Sequence, residues 1–204
     1  MNLLGRLGDA IYYAGDKPGS LVPYREAEAI IRAELAKGTS LVWTDKFGEA
    51  KFNISGTLGD INGQNEAALR EAREGIVALQ RVLAFGPDAN IEKRLLILYG
   101  QEANVLSDMG RMAEAVAASN ASIALRRERL ARVPHDPQRN RDLAVALPNH
   151  AEVLARAGSH RAACNAAQEA VRQWTAIRAA GNLGARDAAK DVPEAAKVAT
   201  RLCG

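Results

Sequence analysis

The sequence predicts an all-α fold in which four consecutive pairs of antiparallel helices stack as a solenoid and a capping helix closes the C-terminal end. Three observations carry this reading. Apolar residues recur at three- and four-residue steps, and few segments alternate as a half-buried strand would. Alanine and leucine supply much of the apolar content while aromatics are only 4%, a balance that favours helix over sheet. The chain also resembles itself, the mark of repeat architectures. Residues 94–125 align with 142–173 at one constant offset of 48. Tyr99 pairs with Leu147, Ala103 with Ala151, Leu106 with Leu154, Gly110 with Gly158, Ala115 with Ala163 and Ile123 with Val171.

The first pair is expected over residues 2–37, where Leu4, Gly8, Ile11 and Gly15 repeat the spacing of Tyr99, Ala103, Leu106 and Gly110, and Ser20, Tyr24 and Ala27 continue it. The second, over 43–87, is the weakest copy. Phe47, Ala50, Ile54 and Leu58 precede Gly59-Asp60, and Arg70-Glu71-Ala72 echoes Arg25-Glu26-Ala27, but Phe52 stands where a small residue is expected. Trp43 is read as packing the linker onto this pair. The third pair spans 90–134. Leu95, Tyr99, Ala103 and Leu106 share one helix face, and Met112, Ala115, Val116 and Ile123 face inward on its second helix. Gly86-Pro87-Asp88 and Pro134-His135-Asp136-Pro137 break the chain on either side. The fourth pair spans 137–180, with Trp174 at core spacing after Val171. The turn glycines are read as Gly15, Gly59, Gly110 and Gly158. A capping helix is expected over 183–202, with Ala188, Val192, Ala195, Val198 and Leu202 as its apolar stripe and Pro193 starting or kinking it. All of this is read as one domain, 1–204. The first helix begins without a cap, so the chain is expected to be a segment of a longer protein.

Composition narrows the function. The 27 basic and 24 acidic residues are interspersed, which gives no reason to expect nucleic acid or a membrane surface as partner. The run Arg126, Arg127, Arg129, Arg132 reads as the basic end of a long helix. No stretch approaches the length of a transmembrane helix. Cys164 and Cys203 make no disulfide framework in a chain of this length, so a reducing, cytoplasmic setting is expected. His160 and Cys164 lie four apart, with His150 nearby, but structural zinc needs four ligands and no others are evident. No metal or cofactor is therefore expected. Gly5-x-x-Gly8 and Gly59-x-x-x-Gly63 lack the context of a phosphate loop, and no nucleophile has a base near it in sequence. The chain reads as a non-enzyme. The sequons at Asn53 and Asn120 fall in predicted helices and read as coincidental.

These residues resemble the tetratricopeptide repeat family. The resemblance rests on Leu4, Leu7, Gly8, Ile11, Gly15, Tyr24 and Ala27, on Tyr99, Ala103, Leu106, Gly110 and Ala115, and on the corresponding set from Leu147 to Ala163 with Ala170. The units exceed the usual length of about 34 residues and look like the extended-helix repeats of kinesin light chains and bacterial regulators. The resemblance implies a right-handed superhelical α-solenoid whose first helices line a concave surface for a peptide or partner helix. The candidate groove residues are Arg6, Asp9, Tyr12, Tyr13, Lys46, Glu49, Asn53, Gln101, Asn104, Asp108, Asn149, Glu152 and Arg156. Asn53 and Asn104 hold equivalent places, where an asparagine clamps a peptide in some members of the family. The lysines of the chaperone-type carboxylate clamp do not line up fully. The implied function is a protein–protein interaction module. The alternative is a regulatory segment of a larger bacterial signalling protein, either a serine/threonine kinase or a transcription regulator.

Overall fold

The computed structural model describes residues 2–204, and no strand occurs among them. The described residues form nine α-helices and one π turn, in two compact units, 1–110 and 111–204. The all-α expectation agrees with this, and the last α-helix begins at Val192, after the π turn, rather than at 183.

The first unit holds α1 (Asn2–Tyr13), α2 (Lys17–Leu35), α3 (Leu41–Gly59), α4 (Asn65–Leu83) and α5 (Ala89–Asp108). Each helix packs on the next, and α3 also packs on α5. The starts are set by short side chains that accept otherwise unpaired backbone N–H groups. Asp16 accepts from the Gly19 N–H at 2.9 Å, Ser40 from Trp43 at 3.4 Å, and Asp88 from Asn90 and Ile91 at 2.9 and 3.0 Å. The Gly-Pro-Asp break thus ends on a cap. Ile31, Phe47 and Ala50 form a core cluster, with Trp43 packed against it, as expected for the linker tryptophan. Gly8 lies under the Tyr24 ring, too close for any Cβ, so α1 and α2 meet through the absence of a side chain.

One turn glycine differs from expectation. Gly15 adopts φ 98°, Gly110 φ 74° and Gly158 φ 77°, the left-handed region that glycine enters without steric cost. Gly59 does not. It is the last residue of α3, and the left-handed residue of that connection is Gly63, φ 78°. The helix runs on to Gly59, and the chain turns only after Asp60, whose backbone is still right-handed.

The second unit holds α6 (Met112–Arg132), α7 (Pro137–Arg156), α8 (His160–Ala179), a π turn (Asp187–Asp191) and α9 (Val192–Cys203). Asp136 caps α7 through the Arg139 N–H at 2.9 Å, with Pro137 in the first turn. One core cluster joins Ile123, Leu143, Leu147, Ala170, Trp174 and Ala195. The other joins Ala151, Leu154, Ala163, Ala167 and Val198. Ala151, Ala163 and Ala167 are fully buried, the close crossing that small residues allow.

Helix α9 packs on both α7 and α8, as α5 packs on both α3 and α4 in the first unit. It occupies the place that the first helix of a further pair would take. The expected stripe is shifted at its start: Ala188 is exposed while Asp187 is buried. The wider π turn adds a residue to the helical period and rotates the inward face by about one position. Asp187 then meets Arg141 of α7 through two hydrogen bonds, donated by Nε at 2.8 Å and Nη2 at 2.7 Å. The Arg141 guanidinium holds the Asp187 carboxyl below its ordinary range.

Cys164 and Cys203 form a disulfide, with their Cα atoms 5.0 Å apart across a sequence separation of 39. This corrects the expectation of two unpaired thiols. The return of α9 along α8 brings together residues far apart in sequence. The premise for a reducing compartment falls with it. No helix among the described residues is long and apolar enough to cross a membrane.

Candidate binding cleft

A cleft of about 70 Å³ opens in the first unit between α1, α2 and α3. Arg6 and Asp9 come from α1, and Lys46, Glu49 and Asn53 from α3. Tyr24, Ala27, Ile31 and Ala50 form its buried floor. Five of the sequence-derived candidates therefore share one concavity. The reason is periodic: Lys46, Glu49 and Asn53 are spaced by three and four residues and share a face of α3, while Phe47, Ala50 and Ile54 turn into the core.

The five side chains differ in how freely they can meet a ligand. Asp9 accepts a hydrogen bond from the Tyr24 hydroxyl at 2.6 Å. Burial, then this carboxylate, pushes the Tyr24 phenol well above its usual range. Lys46 pairs with Glu49 at 2.7 Å, and Arg94 approaches Glu49 at 3.9 Å. Arg6 and Asn53 have no hydrogen-bond or ion-pair partner among the described residues. Arg6 is exposed and Asn53 half-buried. A guanidinium and a primary amide thus stand ready on opposite sides of the cleft, above an apolar floor.

The other candidates lie elsewhere. Tyr12 donates its hydroxyl to Asp60 Oδ2, and this bond pushes its phenol up to about 12. Tyr13 stands edge-on to it with ring centroids 5.3 Å apart and is exposed. On α5, Asn104 and Asp108 are exposed and Gln101 half-buried. A Cβ at Gly59 would lie 3.8 Å from the Gln101 amide nitrogen, so Gln101 packs over the glycine end of α3. In the second unit, Glu152 is bridged by Arg201 of α9, Asn149 lines a separate cavity and Arg156 is exposed. His150 is buried, with Nδ1 2.8 Å from the Ser119 hydroxyl. The Cys164 sulfur is engaged in the disulfide and offers no thiolate beside His160.

Sequence reasoning missed the main charged feature of the first unit. Lys51 is only 1% exposed. Its ammonium lies 2.5 Å from Glu28, 2.5 Å from Glu71 and 2.6 Å from Glu74. Arg25 bridges Glu28 and Glu71 at 2.9 and 2.5 Å, and Arg32 bridges Glu28 and Glu74 at 2.8 and 2.5 Å. Three cations balance three carboxylates. The carboxylates are close enough together to hold a metal ion, but the ammonium fills their centre. Burial alone would lower the Lys51 pKa, yet the carboxylates outweigh it and raise the value. The same balance leaves Glu28 and Glu74 lowered, their burial outweighed by the hydrogen bonds from Lys51 and the arginines. The available signal was Glu71 and Glu74 on one face of α4, beside a helical glycine, Gly75.

No family model matches the chain, and no curated protein matches it.

Proposed function

We propose that the chain is a protein-interaction module of the tetratricopeptide type, and that the cleft of the first unit grips a peptide or partner helix. The observation that carries the reading is the pairing of uncommitted Arg6 and Asn53 across an apolar floor. A primary amide can both donate to and accept from a peptide backbone group. A guanidinium pairs with a carboxylate in bidentate fashion. An acidic residue flanking an apolar one is the matching ligand chemistry. The disulfide supports an oxidising compartment for this activity rather than the cytoplasm.

A displayed peptide library selected on the wild-type chain provides ligands for titration calorimetry. The double variant Arg6→Glu, Asn53→Ala is expected to weaken selected peptides by about thirtyfold, the scale of an interface hot spot of roughly 2 kcal/mol. Arg70→Glu, on the exposed face of α4, is expected to bind as wild type. Equal binding by the double variant, or loss only in Arg70→Glu, would place recognition outside the cleft and sink the proposal.

A further inference from the structure

The disulfide of the second unit stands where a thiol can reach it. Cys203 is exposed and Cys164 half-buried, so an incoming sulfur meets Cys203 first, and Cys164 becomes the sulfur displaced. Cys164 lies one turn into α8, near the positive end of that helix. His160 and Arg161 precede it by four and three positions, the spacing that shares a helix face. Both are exposed and have no hydrogen-bond or ion-pair partner among the described residues. A guanidinium with no other anion to serve favours a thiolate on its own helix face, and a favoured thiolate leaves faster.

What the bridge holds is lightly docked. Of the 12 residues of α9, only Ala195 and Val198 are buried, and a helix of that length is marginal on its own in water. Ala195 belongs to the cluster of Leu143, Leu147 and Trp174, and Val198 to that of Ala151, Leu154 and Ala167. The other ties are ionic. Arg201 meets Glu152 with side chains 58% and 31% exposed, and an ion pair so open to water adds little. Arg141 holds Asp187, just before the helix. A short helix with two small buried side chains therefore depends on its covalent tether. Trp174, 2% exposed, shares a cluster with Ala195 and senses whether the helix is in place.

We propose that the Cys164–Cys203 bond is a thiol–disulfide exchange site, opened at Cys203 by a dithiol, and that its reduction undocks α9 from α7 and α8. One thiolate of the dithiol bonds to Cys203 Sγ, the Cys164–Cys203 bond breaks, and its electron pair leaves on Cys164, which takes up a proton. The second thiolate of the dithiol then bonds to the first sulfur and displaces Cys203, which takes up the other proton. The dithiol ends as a disulfide, and the bridge gains two electrons and two protons. The site is independent of the peptide cleft in the first unit.

The test uses the full, disulfide-bonded chain with dithiothreitol as the dithiol, in the variant Trp43→Phe so that Trp174 is the single tryptophan. Reduction is expected to raise acrylamide quenching of Trp174 and to speed hydrogen exchange of the α9 amides by about thirtyfold, the lower end of what such a bridge contributes. The α7 amides are expected to keep their protection, and reoxidation to restore the starting state. Complete reduction that leaves Trp174 and the α9 amides unchanged overturns the proposal. So does a chain that unfolds throughout, with α7 exchanging as fast as α9, since the bridge is then a structural staple only. The direction of attack is read with glutathione, a monothiol that stops at the mixed disulfide. After acid quenching, peptide mass spectrometry is expected to find the adduct on Cys203 and the free thiol on Cys164. An adduct mainly on Cys164 overturns the assignment. Arg161→Glu is expected to slow reduction by dithiothreitol about threefold with the oxidised Trp174 spectrum unaltered, and an unchanged rate overturns the leaving role of Cys164.

Discussion

Gly75 on α4 has no side chain to hold α3 away. A Cβ there would stand 2.9 Å from the Lys51 Cβ and 2.8 Å from Leu98 Cδ1. The lysine stem therefore lies flat against α4, and its ammonium emerges among carboxylates from two helices. Burying such a cluster is no gain in itself, because desolvation offsets much of the attraction. Removing one member is different, since it strands buried charge. Lys51→Met is expected to cost about 3–5 kcal/mol in urea unfolding. The exposed Lys37–Glu34 pair at 2.6 Å should matter little, as surface pairs do. The pKa shifts add a sign. Glu28 and Glu74 are lowered from the ordinary 4.5, so their contribution is present above pH 4.5 and lost as pH falls through their folded values. Lys51 is raised from 10.5, so its contribution is present below pH 10.5 and lost only as pH rises through its folded value. Wild type should therefore hold a stability plateau between these limits, and the gap between it and Lys51→Met should narrow on acidification below pH 4.5. A gap that stays constant down to pH 2 would show that the carboxylates do not depend on the ammonium.

Among the elements, α9 depends most on long-range ties: the Arg141–Asp187 bonds at its entrance, Ala195 and Val198 along its buried face, and the disulfide at its end. Cys203→Ser is expected to lower stability by roughly 2–4 kcal/mol, from the entropy of closing a loop of that size, and to expose α9 amides first to hydrogen exchange. A variant that melts with wild type in the absence of reductant would mean that the bond adds nothing. Sequence reading served these elements unevenly. Asp88 and Asp136 end their Pro-containing breaks and cap the next helix, so local chemistry alone marks both starts. Gly59 misled because it copies the spacing of Gly15, while the residue that turns is Gly63, four positions on. The π turn left no local signature, and the apolar stripe slipped by one residue when it was read at a constant helical period.

At the scale of the whole chain, the helical plan was legible because the spacing of Tyr99, Ala103, Leu106 and Gly110 recurs in Leu147, Ala151, Leu154 and Gly158. Periodicity also brought Lys46, Glu49 and Asn53 to one cleft, since face-sharing on a helix follows from spacing alone. What stayed hidden were contacts between elements distant in sequence: Lys51 with Glu71, Arg141 with Asp187, Cys164 with Cys203. Nothing in a one-dimensional pattern says which distant face will return. The last of these contacts has a mechanical consequence. Cys203 is the last residue of α9, so tension arriving from its C-terminal side passes through the sulfur bridge into α8 and never loads α9 end to end. With a sequence separation of 39, and at roughly 3.4 Å per extended residue, the bridge conceals about 130 Å of contour length, which a stretched chain can release only after reduction.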